Sequence, residues 1–206
     1  MQYIIVAAIG YLLGSINAAY VLGRLHGFDI RERGTRNAGA SNAKLTMGWY
    51  AFVITLLWDA FKAAAAMLIV AYLYPNDRFL LALGGIMAVF GHCFPLYTGF
   101  KGGKGFATLI GLTLMIDWKA AAIILIVSML LAFLLNYIVV GTLGLATGFP
   151  VYLAFIQDDL RLIVLFTFIA LIIIYRHKDN YQRLKTCREI GINGSFIGFK
   201  NGKYRH

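Results

Sequence analysis

The stretch FKGGKGFAT, residues 100–108, sets Lys101 and Lys104 among Gly102, Gly103 and Gly105 in a chain that is otherwise oily. These residue types at this spacing suit the binding of an oxyanion. Consecutive glycines let backbone N–H groups converge on an anion, a helix starting just beyond adds its positive dipole end, and the lysines neutralise charge. The stretch is not a nucleotide P-loop. That loop needs Gly where Thr98 stands and Ser or Thr where Gly105 stands. The alternative is an interfacial turn whose lysines only set topology.

Three further stretches carry polar chemistry. RERGTRNAGASN (31–42) places Gly34, Thr35, Asn37, Gly39, Ser41 and Asn42 among Arg31, Arg33 and Arg36. Glycines permit close approach, and hydroxyls and amides donate to oxygen anions; an ordinary surface loop has the same composition. In WDAFKA (58–63), Asp59 and Lys62 share a helical face inside an apolar run. Ionisable groups there face the protein interior and mark either a functional site or a locking salt bridge. In RHKDNYQRL (176–184), His177 and Asn180 share a face between Arg176 and Arg183, which also describes a basic cap on a membrane helix. His26 and His92 are lone histidines near the ends of apolar runs, where a plain hydrogen bond is the ordinary role. Many glycerolipid acyltransferases use His and Asp with four residues between them as a base dyad. The positions after His26, His92 and His177 at that spacing are Arg31, Tyr97 and Gln182, so no such dyad exists.

The elements that must position these residues are membrane helices. Of 206 residues 60% are hydrophobic, mean hydropathy is +0.74, and 19 Lys and Arg face 9 Asp and Glu. A soluble domain carries about a quarter charged residues. Apolar runs cover 2–23, 48–73, 79–98, 105–117, 119–136, 142–157 and 160–175. The first lacks a basic leader region and a cleavage site, so it reads as a retained span. A crossing needs about 20 residues, so 105–117 and 142–157 are short, and are expected to be tilted, buried or re-entrant.

If all seven runs cross, one side holds 15 of the 19 basic residues: seven in the loops 24–47 and 99–104, eight in the tail from Arg176. The other side holds Arg78, Lys119 and Arg161 beside Asp77, Asp117, Asp158 and Asp159. The positive-inside rule makes the basic side cytoplasmic and the N-terminus external. The expectation is an all-α polytopic membrane protein of about seven transmembrane helices. It forms a single integral domain over 1–206, with a basic cytoplasmic tail over 176–206. The net charge of +10 is then mostly topology with attraction to the lipid bilayer. Basic residues dispersed over loops argue against nucleic acid. Cys93 and Cys187 lack metal-ligand spacing, and no metal or cofactor is implied.

GSIN (14–17), GTRNAGASN (34–42), DAFK (59–62), GHCFPLYTGFKGGKGFAT (91–108) and RHKDNYQRL (176–184) resemble, in order and spacing, the bacterial acyl-phosphate:glycerol-3-phosphate acyltransferases, the PlsY family. The resemblance runs from Gly14 to about Glu189 and implies a seven-span bundle whose loops meet at the cytoplasmic face of the cell membrane. It implies acyl transfer from acyl phosphate to the 1-hydroxyl of glycerol 3-phosphate, giving lysophosphatidate, and contact with other phospholipid-synthesis enzymes. Lys104, Gly103, His177 and Asn180 match the family's phosphate-site positions. Thr35 and Thr142 stand where the family has serines. Arg36 replaces a glycine, Ala63 another, and Leu45 an arginine, leaving Arg36 or Lys44 to supply that cation.

Both implied substrates carry phosphate, so a cationic, donor-rich pocket would bind and align them. Acyl phosphate is already activated, which lets a donor phosphate oxygen take the glycerol proton; His177 as general base is the rival. A non-catalytic family member and an anion transporter are the other function classes. The transporter should show related halves, and residues 1–100 and 101–206 show no repeat.

Overall fold

The computed structural model describes residues 1–192; of the basic tail, residues 193–206 lie outside the described residues. The described chain is helical: α1 Gln2–Ser15, α2 Ala18–Leu25, α3 Ala40–Met47, α4 Trp49–Leu73, α5 Arg78–Cys93, α6 Phe106–Ile116, α7 Trp118–Leu135, α8 Ile138–Phe155, α9 Leu160–Arg176 and α10 Lys178–Lys185. Every apolar run becomes helix. Among the described residues five spans are long and apolar enough to cross a membrane, with α1 and α2 taken together, and six if α9 and α10, bent by 47°, form one.

Contacts sort the connections into two ends. At one end Asn17 meets Ala38, Arg176 meets Gly102 and Gly103, Lys104 meets Asn180 and Ile192 meets Asn136. At the other, Arg78 pairs with Asp158 at 2.7 Å and Tyr152 bonds Asp117 at 2.6 Å. α6 joins these two ends, although its 11 residues rise only about 16 Å against a hydrocarbon core of about 30 Å.

The acidic end has a local cause as well as a topological one. α5, α7 and α9 all start there, and each start is capped by an aspartate. Asp77 accepts from Leu80 N, Asp117 from Lys119 and Ala120 N, and Asp159 from Arg161 N, at 2.9–3.1 Å. Such caps satisfy N–H groups that a helix start leaves unpaired.

Three boundaries depart from the sequence reading. The 79–98 run ends as α5 at Cys93. The first apolar run breaks at Ile16–Asn17, where Asn17 caps α2 by accepting from Tyr20 N at 3.0 Å. The run bounded at 142–157 begins at Ile138, because Asn136 ends α7 in the left-handed conformation, φ 62°. That gives α8 18 residues, enough to span. The 105–117 run is short, as its sequence suggests.

α1 packs on α5 backbone to backbone: a side chain added at Gly10 or Gly14 would strike Gly84 or Ala88. In lipid, close van der Waals approach of small residues is what holds helices together. The main core lies among α4, α5, α6, α8 and α9, around Met67, Ile86, Leu112, Phe149 and Phe166. Leu57, Phe61, Ile123, Leu130, Phe155 and Phe168 stay exposed on the outer surface, the surface a bilayer would cover.

Candidate active site

The glycine loop forms because α5 stops at Phe94 and the chain folds back on that helix end. Gly102 N donates to Cys93 O at 3.2 Å, and Gly103 N donates to His92 O at 3.0 Å. Arg176, leaving α9, donates from Nε to Gly103 O at 3.1 Å and from Nη2 to Gly102 O at 2.8 Å. Two glycine N–H groups expected to face an anion are thus spent inside the protein. The loop's contribution is its tight backbone, and the charge comes from Lys104.

Lys104 donates to Asn180 Oδ1. Asn180 Nδ2 donates to Glu189 Oε1 at 2.5 Å, and Arg183 Nε donates to Glu189 Oε2 at 2.6 Å. A carboxylate only accepts, so Glu189 fixes which end of the amide faces Lys104. Asn180 is 4% exposed and Glu189 5%. Burial, with Arg183 second, pulls the Lys104 ammonium down to about 8. One of its three hydrogens goes to Asn180; two remain for a ligand.

His177 ends α9, buried, with Nδ1 2.8 Å from Ile173 O. A carbonyl only accepts, so Nδ1 carries the hydrogen and Nε2 keeps a lone pair. Burial pulls the imidazole down to about 4, so the ring is neutral at physiological pH.

The 31–42 stretch is folded around Asn42. This residue, fully buried, donates to Ile30, Arg33 and Asn37 carbonyls at 2.9–3.0 Å and accepts from Thr35 N at 2.8 Å. Its amide is consumed in shaping the loop. Gly34 lies against that amide with φ 57°, and Arg36, exposed, holds φ 58°. Gly39 caps α3, Ser41 is exposed, and Lys44 Nζ sits 3.9 Å from the Trp49 ring centroid. Asn17 Nδ2 donates to Ala38 O at 2.9 Å, and Ala38 O in turn lies against Gly103. The Ala38 carbonyl thus brings the end of the 35–38 segment against the glycine loop.

Lys101 and Lys104 part company. Lys101 is exposed and lines a separate hollow of about 350 Å³ with Asp29, Arg31, Glu32, Thr98 and Gly99. Gly105, φ 91°, starts α6. Thr142 is buried, its hydroxyl bonded to Ile138 O at 3.3 Å in its own helix. Asp59, Lys62 and His92 form one buried cluster: Lys62 Nζ is 2.8 Å from Asp59 Oδ1, 2.9 Å from His92 Nδ1 and 3.1 Å from Ile16 O. The pair lies on α4 and reaches α5 and the α1–α2 break. His26 bonds Tyr50 at 2.6 Å on an exposed surface. Among the described residues, no group of three or more His, Cys, Asp or Glu side chains is placed to hold a metal ion.

Sequence reasoning missed Asn17 and Glu189. Asn17 stood within an apolar run, and its signal was the helix-cap residue type. Glu189 carried none, because its partners lie nine and six residues back in a basic segment.

A family profile described as glycerol-3-phosphate acyltransferase matches residues 4–186. Curated relatives carrying that name include one from Desulfotalea psychrophila, 39% identical over 88% of this chain and 93% of the relative. Another, numbered 1, is from Oceanobacillus iheyensis, 30% identical over 95% and 98%. Among solved structures, PlsY, an integral membrane glycerol 3-phosphate acyltransferase, in its glycerol 3-phosphate form superposes with a TM-score of 0.85. That match is 30% identical and covers 93% of this chain and 96% of that one. Its lysophosphatidic acid form gives 0.82 at 28% identity, over 96% and 98%.

Proposed function

We infer the activity from this premise: the chain belongs to the glycerol-3-phosphate acyltransferase family and is a bacterial integral membrane enzyme that acylates glycerol 3-phosphate. We propose that the donor is acyl phosphate. The glycerol 1-oxygen attacks the acyl carbon, the bond from that carbon to the phosphate oxygen breaks, and the phosphate leaves carrying the hydroxyl proton. Lysophosphatidate and inorganic phosphate are the products.

The observation that carries this reading is the convergence of Lys104, Asn180 and His177, from segments more than 70 residues apart, beside a loop bearing Thr35, Arg36 and Asn37. Such a site needs only to bind phosphate and orient groups, because acyl phosphate brings its own leaving group. Arg36 is the cation proposed for the one missing at Leu45: it is exposed two residues before Ala38, whereas Lys44 lies over Trp49. Thr142 and Ser41 are proposed substrate contacts on the family resemblance alone, and the Thr142 hydroxyl would have to turn from Ile138 O to make one. Purified protein given acyl phosphate and labelled glycerol 3-phosphate is expected to form labelled lysophosphatidate; none forming would remove the activity.

His177 serves in this scheme as a hydrogen-bond acceptor for the 2-hydroxyl of glycerol 3-phosphate, which leaves the 1-hydroxyl proton for the departing phosphate. Its imidazole, at about 4, is a poor base near neutral pH, where an efficient base is matched to the operating pH. His177→Gln, which keeps an acceptor, should retain far more activity than His177→Ala. Equal losses of about 10²–10⁴ in both, with substrate binding intact, would make His177 the base.

The site end is assigned to the cytoplasm, with Met1 outside, on the 15-to-3 split of basic residues between the two sides. Single cysteines at 35, 104 and 177 should all be protected from a membrane-impermeant thiol reagent in intact cells, and one at 76 should react. Labelling of 35 and 104 from opposite sides would end this topology.

A further inference from the structure

His92 is 3% exposed and uses only one ring nitrogen. Its Nδ1 lies 2.9 Å from Lys62 Nζ and 3.4 Å from Asp59 Oδ1. Asp59 sits nearer Lys62, at 2.8 Å, so these two carry the charges and the buried trio is neutral overall, as burial requires. An ammonium has hydrogens and no lone pair, so Nδ1 accepts from it. The imidazole hydrogen is then on Nε2.

That Nε2–H makes no hydrogen bond among the described residues. It points into the seam between the two site loops. A side-chain carbon built on Gly103 would land on Nε2, and the same point is 2.8 Å from Ala38 O. Ala38 O already accepts from Asn17. Lys104 follows Gly103 directly, and Thr35, Arg36 and Asn37 lead into Ala38.

We propose that His92 is a phosphate ligand: its Nε2–H, held in that tautomer by Lys62, donates to a phosphate oxygen seated between loops 35–38 and 102–105. This rests on the acyl-transfer reading in one respect, that both substrates carry phosphate. Glycine at 103 leaves the ring edge uncovered, and a neutral donor adds a hydrogen bond where Lys104 already supplies charge. Lys62 acts through His92 and is a positioning residue.

Two substitutions separate this role from a structural one. Asparagine's amide overlays Nδ1, so His92→Asn keeps an acceptor for Lys62 and deletes the donor. Glutamine's amide nitrogen overlays Nε2, so His92→Gln restores the donor. With both variants inserted and folded, His92→Asn should lose about tenfold to a hundredfold in kcat/KM, the cost of one hydrogen bond to a charged group, and His92→Gln should recover most of it. A rise in KM for glycerol 3-phosphate assigns the oxygen to the acceptor; a loss confined to acyl phosphate assigns it to the donor. An Asn variant as active as the Gln variant would overturn the proposal and leave His92 a partner of Lys62 alone. Calorimetric binding of glycerol 3-phosphate and of inorganic phosphate to the same proteins applies the same comparison without turnover. An unaltered protein that bound but did not transfer would count against the acyl-transfer reading, while the Asn–Gln comparison still decided the ligand.

Discussion

Lys104→Ala should abolish most acyl transfer while the protein still inserts and folds. The ammonium is the cation that the structure sets at the meeting point of the glycine loop and Asn180, with two hydrogens to spare. Losing a charge-assisted contact to phosphate costs roughly 1.5–3 kcal/mol in binding alone, about tenfold to over a hundredfold, and more if the contact tightens during transfer. Lys104→Arg should rescue poorly, because a planar fork replaces a compact ammonium beside a loop with no room at Gly103. The pH profile supplies a second readout. With the free group at about 8, it is cationic below that pH and neutral above it. Since anionic substrates need the cation, kcat/KM should fall above about pH 8, toward tenfold per unit. In Lys104→Arg that limb should vanish, whatever the remaining rate. Near-normal turnover of Lys104→Ala would return the glycine-lysine turn to a topological role.

Lys62→Met should have the largest effect on stability. Asp59 and Lys62 are 1% and 2% exposed, so removing the lysine strands a carboxylate in an apolar interior. Breaking such a pair costs about 3–5 kcal/mol, against a total of about 5–15 for a typical fold. Asp59→Leu combined with Lys62→Met removes both charges and should recover much of the loss, because the penalty comes from the orphaned ion. Thermal unfolding midpoints in detergent make the comparison. A double variant no more stable than the single one would mean that the bonds from Lys62 to Ile16 O and His92, and not its ion pair, hold the helices together.

The sequence carried the helices well, because a run of apolar residues bounded by aspartates, glycines or lysines has few other ways to satisfy its backbone in lipid. The break at Ile16–Asn17 was hidden because its neighbours are as apolar as the helices it separates. α3 was hidden because eight mixed residues show no apolar periodicity. At the site, residue types suggested phosphate binding but not which of them folding would leave with free hydrogen-bonding groups. Asn42 and Lys104 both look like ligands on paper. Folding buries the first among four loop contacts and leaves the second with free hydrogens. That distinction depends on hydrogen-bond accounting across the fold, which spacing does not encode.

The pairing of Asn180 with Glu189 has a consequence for how the enzyme comes into being. Lys104 and the glycine loop are translated long before α10, and the clamp that orients Asn180 toward Lys104 closes only when Glu189 has emerged from the ribosome. During synthesis the growing chain therefore carries a binding loop without its counterpart. The contact between Lys104 and the oriented Asn180 becomes complete only once Glu189 has been added, after all the apolar helices that precede it have been made.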